Sequence, residues 1–279
     1  MNDRGRFKIF IEWVYERYHR RDLVAPDPLQ CVYAYENVED REVAALLAAS
    51  LAVGRVQSIV EQVQGILARL GNGPASFLRY ADAADLKWVC RGFRYRFFRE
   101  EDLRSFLESL SNVLRAYGSL EGAMAACLKR SRGDLWEGLH FFAELIACSS
   151  VAEQASRRPL MARPSCGSAC KRWHLFLRWL VRCDAVDPGG WTCLHPRHLI
   201  IPVDTHMLTI AHTCGLTQRR HADLKTALEI TEAFRRLRPE DPVRYDFSLT
   251  RMAMRERELL EHWWLPQEHG KGGMSCEKL

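Results

Sequence analysis

Apolar residues recur along this chain at three- and four-residue spacing almost without interruption, the period of one face of an α-helix. Phe7, Phe10, Ile11, Val14, Tyr15 and Tyr18 predict a first helix, ended by Pro26 and Pro28. Asp40 is the expected N-cap of a second, through Val43, Leu46, Leu47 and Leu51. That pattern continues or restarts through Val56, Ile59, Val60, Val63 and Leu67, until Gly71-Asn72-Gly73-Pro74 stops it. Further helices are expected over 75–80, 83–90, 101–117, 120–129 and 134–147. The stretch 149–167 is polar, holds Pro159 and Pro164, and is expected as a connector. Helices then follow over 168–182, 205–214, 222–237 and 243–262, with a loop at 184–196. The one run with strand character is 199–203. The glycine-rich tail from Gln267 is expected to be disordered. The fold class is therefore all-α.

Composition narrows the picture only slightly. With 47% hydrophobic and 27% charged residues, the 279-residue chain can build a core and remain globular. A net charge of +5 permits nucleic-acid binding without requiring it. Residues 1–20 are charged and aromatic and lack the apolar centre of a signal peptide, and the apolar run 43–53 is too short to span a bilayer. A cytoplasmic protein with no membrane partner is expected. The ten cysteines are scattered without a C-x-x-C pair, which points to small buried hydrophobes rather than a metal site. No metal and no other cofactor are expected.

Two residues suggest chemistry. Asp204, in Pro202-Val203-Asp204-Thr205-His206, stands where a helix begins. An aspartate there is an ordinary N-cap, and one facing a cleft also stays ionised and can stabilise a cationic sugar. Lys171 falls on the first turn of the helix after Gly167-Ser168-Ala169-Cys170, where the helix dipole disfavours the ammonium and so helps a nucleophilic amine. A solvated lysine is the plainer alternative. The N–H groups around Gly167 and Ser168 are expected to hold a phosphate.

The run from Pro202 to Ala211 resembles the segment that carries the essential aspartate in the helix-hairpin-helix DNA glycosylases, the superfamily of endonuclease III and the 8-oxoguanine glycosylases. Its bifunctional members also carry a lysine in the second helix of the hairpin, a place that Lys171 fills. The hairpin is irregular: Gly167 matches the first glycine, Ala169 replaces the second, and Ser165-Cys166 stand for the usual Leu-Pro. In this it is more similar to the archaeal branch of 8-oxoguanine glycosylases, and to an uncharacterised bacterial family related to that branch. The resemblance implies two helical subdomains with a cleft between them. Residues 1–37 and 163–266 would form the helix-hairpin-helix subdomain, 38–150 the helical barrel, 151–162 the connector and 267–279 a free tail. It also implies a monomer acting on damaged double-stranded DNA as a glycosylase and abasic-site lyase that excises an oxidised purine. Lys171 would be the nucleophile and Asp204 the stabilising carboxylate. No iron–sulfur cluster is expected, since Cys214 is followed only by Cys276.

Other assignments surround this pair. The segment 48–57 occupies the place of the gap-filling loop but lacks its Ser-Gln-Gln. Ser50, Arg55 and Gln57 are the candidate DNA contacts there, and a glycine-interrupted core helix is the alternative. Arg172, Arg178, Arg219 and Arg220 are candidate phosphate ligands. Trp173, Phe176 and Trp191 are candidates for stacking on the base. Arg91-Gly92-Phe93-Arg94-Tyr95-Arg96-Phe97-Phe98-Arg99 interleaves arginine with aromatics, a pattern of either nucleic-acid binding or, as preferred here, an aromatic core face under solvated arginines. Two other functions fit the sequence. A non-catalytic helical nucleic-acid-binding protein would bind DNA without Lys171, and a helical protein-interaction domain would use Asp204 only as a cap.

Overall fold

The computed structural model describes residues 3–147, 159–164 and 168–264. Most of the expected connector, Gly167 and the expected tail at 267–279 lie outside them. The fold is all-α: α1 (Asp3–Tyr18), α2 (Val38–Ser50), α3 (Val56–Leu70), α4 (Pro74–Tyr80), α5 (Ala83–Cys90), α6 (Glu100–Tyr117), α7 (Leu120–Arg130), α8 (Leu135–Ala147), α9 (Lys171–Val181), α10 (Thr205–Thr213), α11 (Leu224–Arg235), α12 (Asp246–Arg255) and α13 (Arg257–Trp264). Short 3-10 turns occupy Arg21–Leu23, Pro28–Ala34 and Pro196–His198. Among the described residues, no helix is long and apolar enough to cross a membrane.

Two helices form the centre. Every residue of α2 from Glu42 to Ser50 is buried, because the 3-10 turn at Pro28–Ala34, α3, α4, α7 and α9 pack around it. In α9, Trp173, His174 and every residue from Phe176 to Val181 are buried. These two helices are buried over most of their length and run through one hydrophobic cluster that extends from Phe7 to Leu260. Around them α4, α5, α7 and α8 pack on α6. On the other side α1 and α10 pack on α12, and α13 closes over α10 and α12.

The ends of elements differ from expectation for local reasons. Asn37, not Asp40, caps α2, accepting from Glu39 N at 2.9 Å and Asp40 N at 3.2 Å. Asp40 instead accepts from Ala75 N at 2.9 Å and ties α2 to the start of α4. The helical pattern restarts after Gly54, whose φ of +114° breaks the chain between α2 and α3. The expected helix over 243–262 is two helices, parted at Glu256 with φ −141°. The 199–203 run forms no strand among the described residues, and Ile201 N donates to the Thr231 hydroxyl of α11 at 3.0 Å. The strands form elsewhere: β1 (Arg94–Tyr95) and β2 (Phe98–Arg99) make a hairpin in the Arg-aromatic run. Phe93, Tyr95 and Phe98 are buried there, forming an aromatic core face, while Phe97 and the arginines Arg91, Arg94, Arg96 and Arg99 are exposed.

Candidate functional site

Lys171 and Asp204 meet because two helices begin facing one another. Lys171 opens α9, directly after Cys170, whose left-handed backbone (φ +47°, ψ +35°) turns the chain into the helix. Asp204 is the N-cap of α10, and its Oδ1 accepts from Met207 N at 2.8 Å. Its other oxygen accepts from Lys171 Nζ at 3.0 Å. Burial pushes the Asp204 carboxyl up. The Lys171 charge, the Met207 N–H and the Lys171 hydrogen bond outweigh it and hold the carboxyl below its ordinary value. Asp204 is therefore an anion at neutral pH. The Lys171 side chain is 35% exposed and Asp204 18%, so the pair is reachable from solvent.

The pair lines a cavity of about 320 Å³, the size of a small-molecule site. Its apolar lining includes Pro26, Pro28, Ala52, Gly54, Val56, Ile59, Leu175, Phe247 and Met254. Three carboxylates reach this space: Asp204, Asp27 and Asp246. Asp27 accepts from Leu29 N at 3.0 Å and from Arg251 Nη2 at 3.1 Å. Asp246 is buried at the first turn of α12 and accepts from Arg178. Burial pushes its carboxyl up to about 6, with the nearby Asp204 charge adding to the rise and Arg178 opposing it. The cavity thus holds carboxyls of opposite disposition beside one amine: Asp204 ionised, Asp246 close to titrating.

Several other expected site residues are placed elsewhere. Trp173, Phe176 and Trp191 offer no face to a base. They pack with Phe142 in an aromatic cluster with centroid separations of 5.2–6.4 Å, and all are at most 4% exposed. Trp173 Nε1 donates to Ala162 O at 2.7 Å and Trp191 Nε1 to Glu42 at 2.6 Å, so their polar ends are also engaged. Arg172 is turned inward, donating to Ser50 O at 2.6 Å and to Leu160 O, which joins α9 to the end of α2 instead of to a phosphate. Ser50 is fully buried and its hydroxyl returns to Leu47 O at 2.9 Å. Arg178 does line the cavity, but it is 4% exposed and its guanidinium is engaged by Asp187 and Asp246. Arg219 is held by Asp223 and Thr226, while Arg220 is exposed. Ser168 is exposed and forms an isolated bridge with Asp223. Arg55 and Gln57 are exposed beside Gly54 and Val56, at the edge of the cavity.

The sequence reading missed Asp27, Asp246, Trp179 and Phe247, which also line the cavity. Trp179 carried a signal, standing eight residues past Lys171 on the face of α9 that includes Leu175. The other three arrive from chain segments far from both Lys171 and Asp204, and only the tertiary fold brings them in. No curated protein and no solved structure matches the chain. From residue 27 to residue 255 it matches the model of a family described as a protein of unknown function (DUF2400), and the chain belongs to that family.

Proposed function

We propose that the protein is a DNA glycosylase and abasic-site lyase that works through a Schiff base on Lys171. The observation that carries this reading is the 3.0 Å pairing of Lys171 Nζ with a helix-capping carboxylate inside an open cavity. An amine attacks only after losing a proton, and Asp204 is placed to receive it. The nucleophile would then form a bond to the sugar C1′ as the C1′–base bond breaks. The electron pair of that bond leaves with the base, which is protonated as it departs. Opening of the sugar ring gives the C1′=Nζ iminium, with Asp204 opposing the positive charge that develops. Loss of a proton from C2′ then expels the 3′ phosphate by β-elimination. Such chemistry requires the nucleotide to leave the duplex, and the cavity walls offer apolar contacts to a flipped base. The oxidised-purine class of substrate, 8-oxoguanine in particular, follows from the resemblance around Asp204.

Borohydride trapping tests the reading on duplexes carrying 8-oxoguanine or an abasic site. The expected result is a covalent protein–DNA adduct with the wild type that disappears in Lys171→Gln. Absence of any adduct from wild-type protein that binds both duplexes would overturn the lyase mechanism and leave a non-catalytic DNA-binding protein.

A further inference from the structure

The hairpin of β1 and β2 carries two features that its fold does not require. Its turn is the two-residue step Arg96-Phe97, since Tyr95 pairs with Phe98. Arg96 takes φ +53°, a conformation for which glycine or asparagine is the usual choice. In addition, Arg94 and Arg99 stand directly opposite each other across the strands, both exposed, and like charges in that register repel. Neither Arg94 nor Arg96 has an ion-pair partner among the described residues. Arg99 is partly engaged, its Nη1 donating to Arg96 O at 3.0 Å and Phe98 O at 3.1 Å, which leaves the charges of Arg94 and Arg96 as the cost that a bound anion would offset.

The hairpin also sits against the candidate site. Tyr95 OH donates to Val53 O at 2.6 Å, fixing it to the loop between α2 and α3. The Arg96 side chain lies over Gly54: a methyl group added there would come within 2.9 Å of Arg96 Nη1 and 3.1 Å of Tyr95 OH. Gly54 itself lines the Lys171 cavity. Exposed Arg55 adjoins it. Guanidinium groups from two separate segments therefore flank one edge of the cavity.

We infer that Arg96 is a phosphate-binding residue that grips the nucleic-acid backbone at the edge of the Lys171 cavity, with Arg94 extending the same contact. A guanidinium engages two oxygens of one phosphodiester, and the Arg96 side chain lies over Gly54, which lines the cavity. The inference rests on reading the cavity as a DNA site, but it concerns binding and not chemistry.

Arg96→Gly separates the two roles of the residue. Glycine accepts the positive φ without strain, so the hairpin persists and the melting temperature is expected to hold or rise. Binding to a fluorescent undamaged duplex is titrated at several salt concentrations for wild type, Arg96→Gly and Arg96→Lys. The expected result is roughly tenfold weaker binding by Arg96→Gly, with a slope of log K against log salt smaller by about one. Arg96→Lys should recover the slope but only part of the affinity. An unchanged affinity and slope in Arg96→Gly would overturn the inference and leave the lyase reading standing. Wild-type protein that binds duplex and loses slope in the variant, yet gives no borohydride adduct, would uphold it while the lyase reading fails. Wild-type protein that binds no duplex would overturn both.

Discussion

Asp204 serves two neighbours with its two oxygens, the Met207 N–H and the Lys171 ammonium, and substitutions can divide those duties. Asparagine caps a helix as well as aspartate does but carries no charge. Asp204→Asn is therefore expected to melt close to wild type while the rate of adduct formation falls by roughly a hundredfold or more, the scale of a lost proton acceptor. Equal losses of melting temperature and rate would instead assign Asp204 to the cap alone. The aspartate was legible in the sequence because an N-cap is a local signal, set within four residues of chain. Arg172, Trp173 and Phe176 were not, because α9 is buried almost all round. On such a helix periodicity does not say which face meets solvent, and residues next to Lys171 in sequence point into the core.

Elements are joined in this protein by buried carboxylates as much as by apolar contact. Glu42, fully buried on α2, accepts from Leu120 N at 2.8 Å, Glu121 N at 2.9 Å and Trp191 Nε1 at 2.6 Å. It thereby caps α7 from outside and holds the loop that follows α9. Glu121 repeats the arrangement one residue into α7, accepting from Thr192 and Cys193. Burial pushes the Glu42 carboxyl up to about 7 from an ordinary 4.5, against the pull of its three donors. The folded molecule therefore holds a proton between those pH values that the unfolded chain has released. Stability should fall as pH rises through that window, by on the order of 3 kcal/mol from this group. Glu42→Gln, which cannot titrate, should flatten the dependence of melting temperature on pH between 4.5 and 7. A slope matching wild type would show that Glu42 remains charged throughout. Helix existence was legible from the apolar period along the chain, down to short α4 and α5. The hairpin at 94–99 was not, since two-residue strands are too brief to show alternation.

Across the whole molecule, a buried charge network ties the cavity to the N-terminal helix. Arg178 bonds Asp187 and Asp246, Arg182 bonds Asp187, Asp184 and Asp241, and His19 at the end of α1 lies 3.0 Å from Asp184. Asp187 is fully buried between the two arginines, so Asp187→Ala would take one carboxylate from each and leave two buried guanidinium groups under-neutralised, Arg178 with Asp246 and Arg182 with Asp184 and Asp241. A loss of roughly 3–5 kcal/mol in urea unfolding is expected. Removing an exposed partner such as Glu232, paired with Arg235, should cost about 1 kcal/mol or less. Comparable losses would mean that the network is better hydrated than its burial implies. The chain order adds a consequence in time. The apolar face of α1 packs on α12, Phe10 meets Trp263 with ring centroids 5.1 Å apart, and Glu12 accepts from Arg238 and Tyr245. During synthesis at ~5–20 residues per second, the segment that shelters α1 leaves the ribosome some tens of seconds after it. Helices α2 to α8 emerge in that interval with their own contacts available, while Phe7, Phe10, Ile11 and Val14 wait exposed. Slowed translation beyond Tyr18 would lengthen that exposure, making the nascent chain more dependent on chaperones than its finished core suggests.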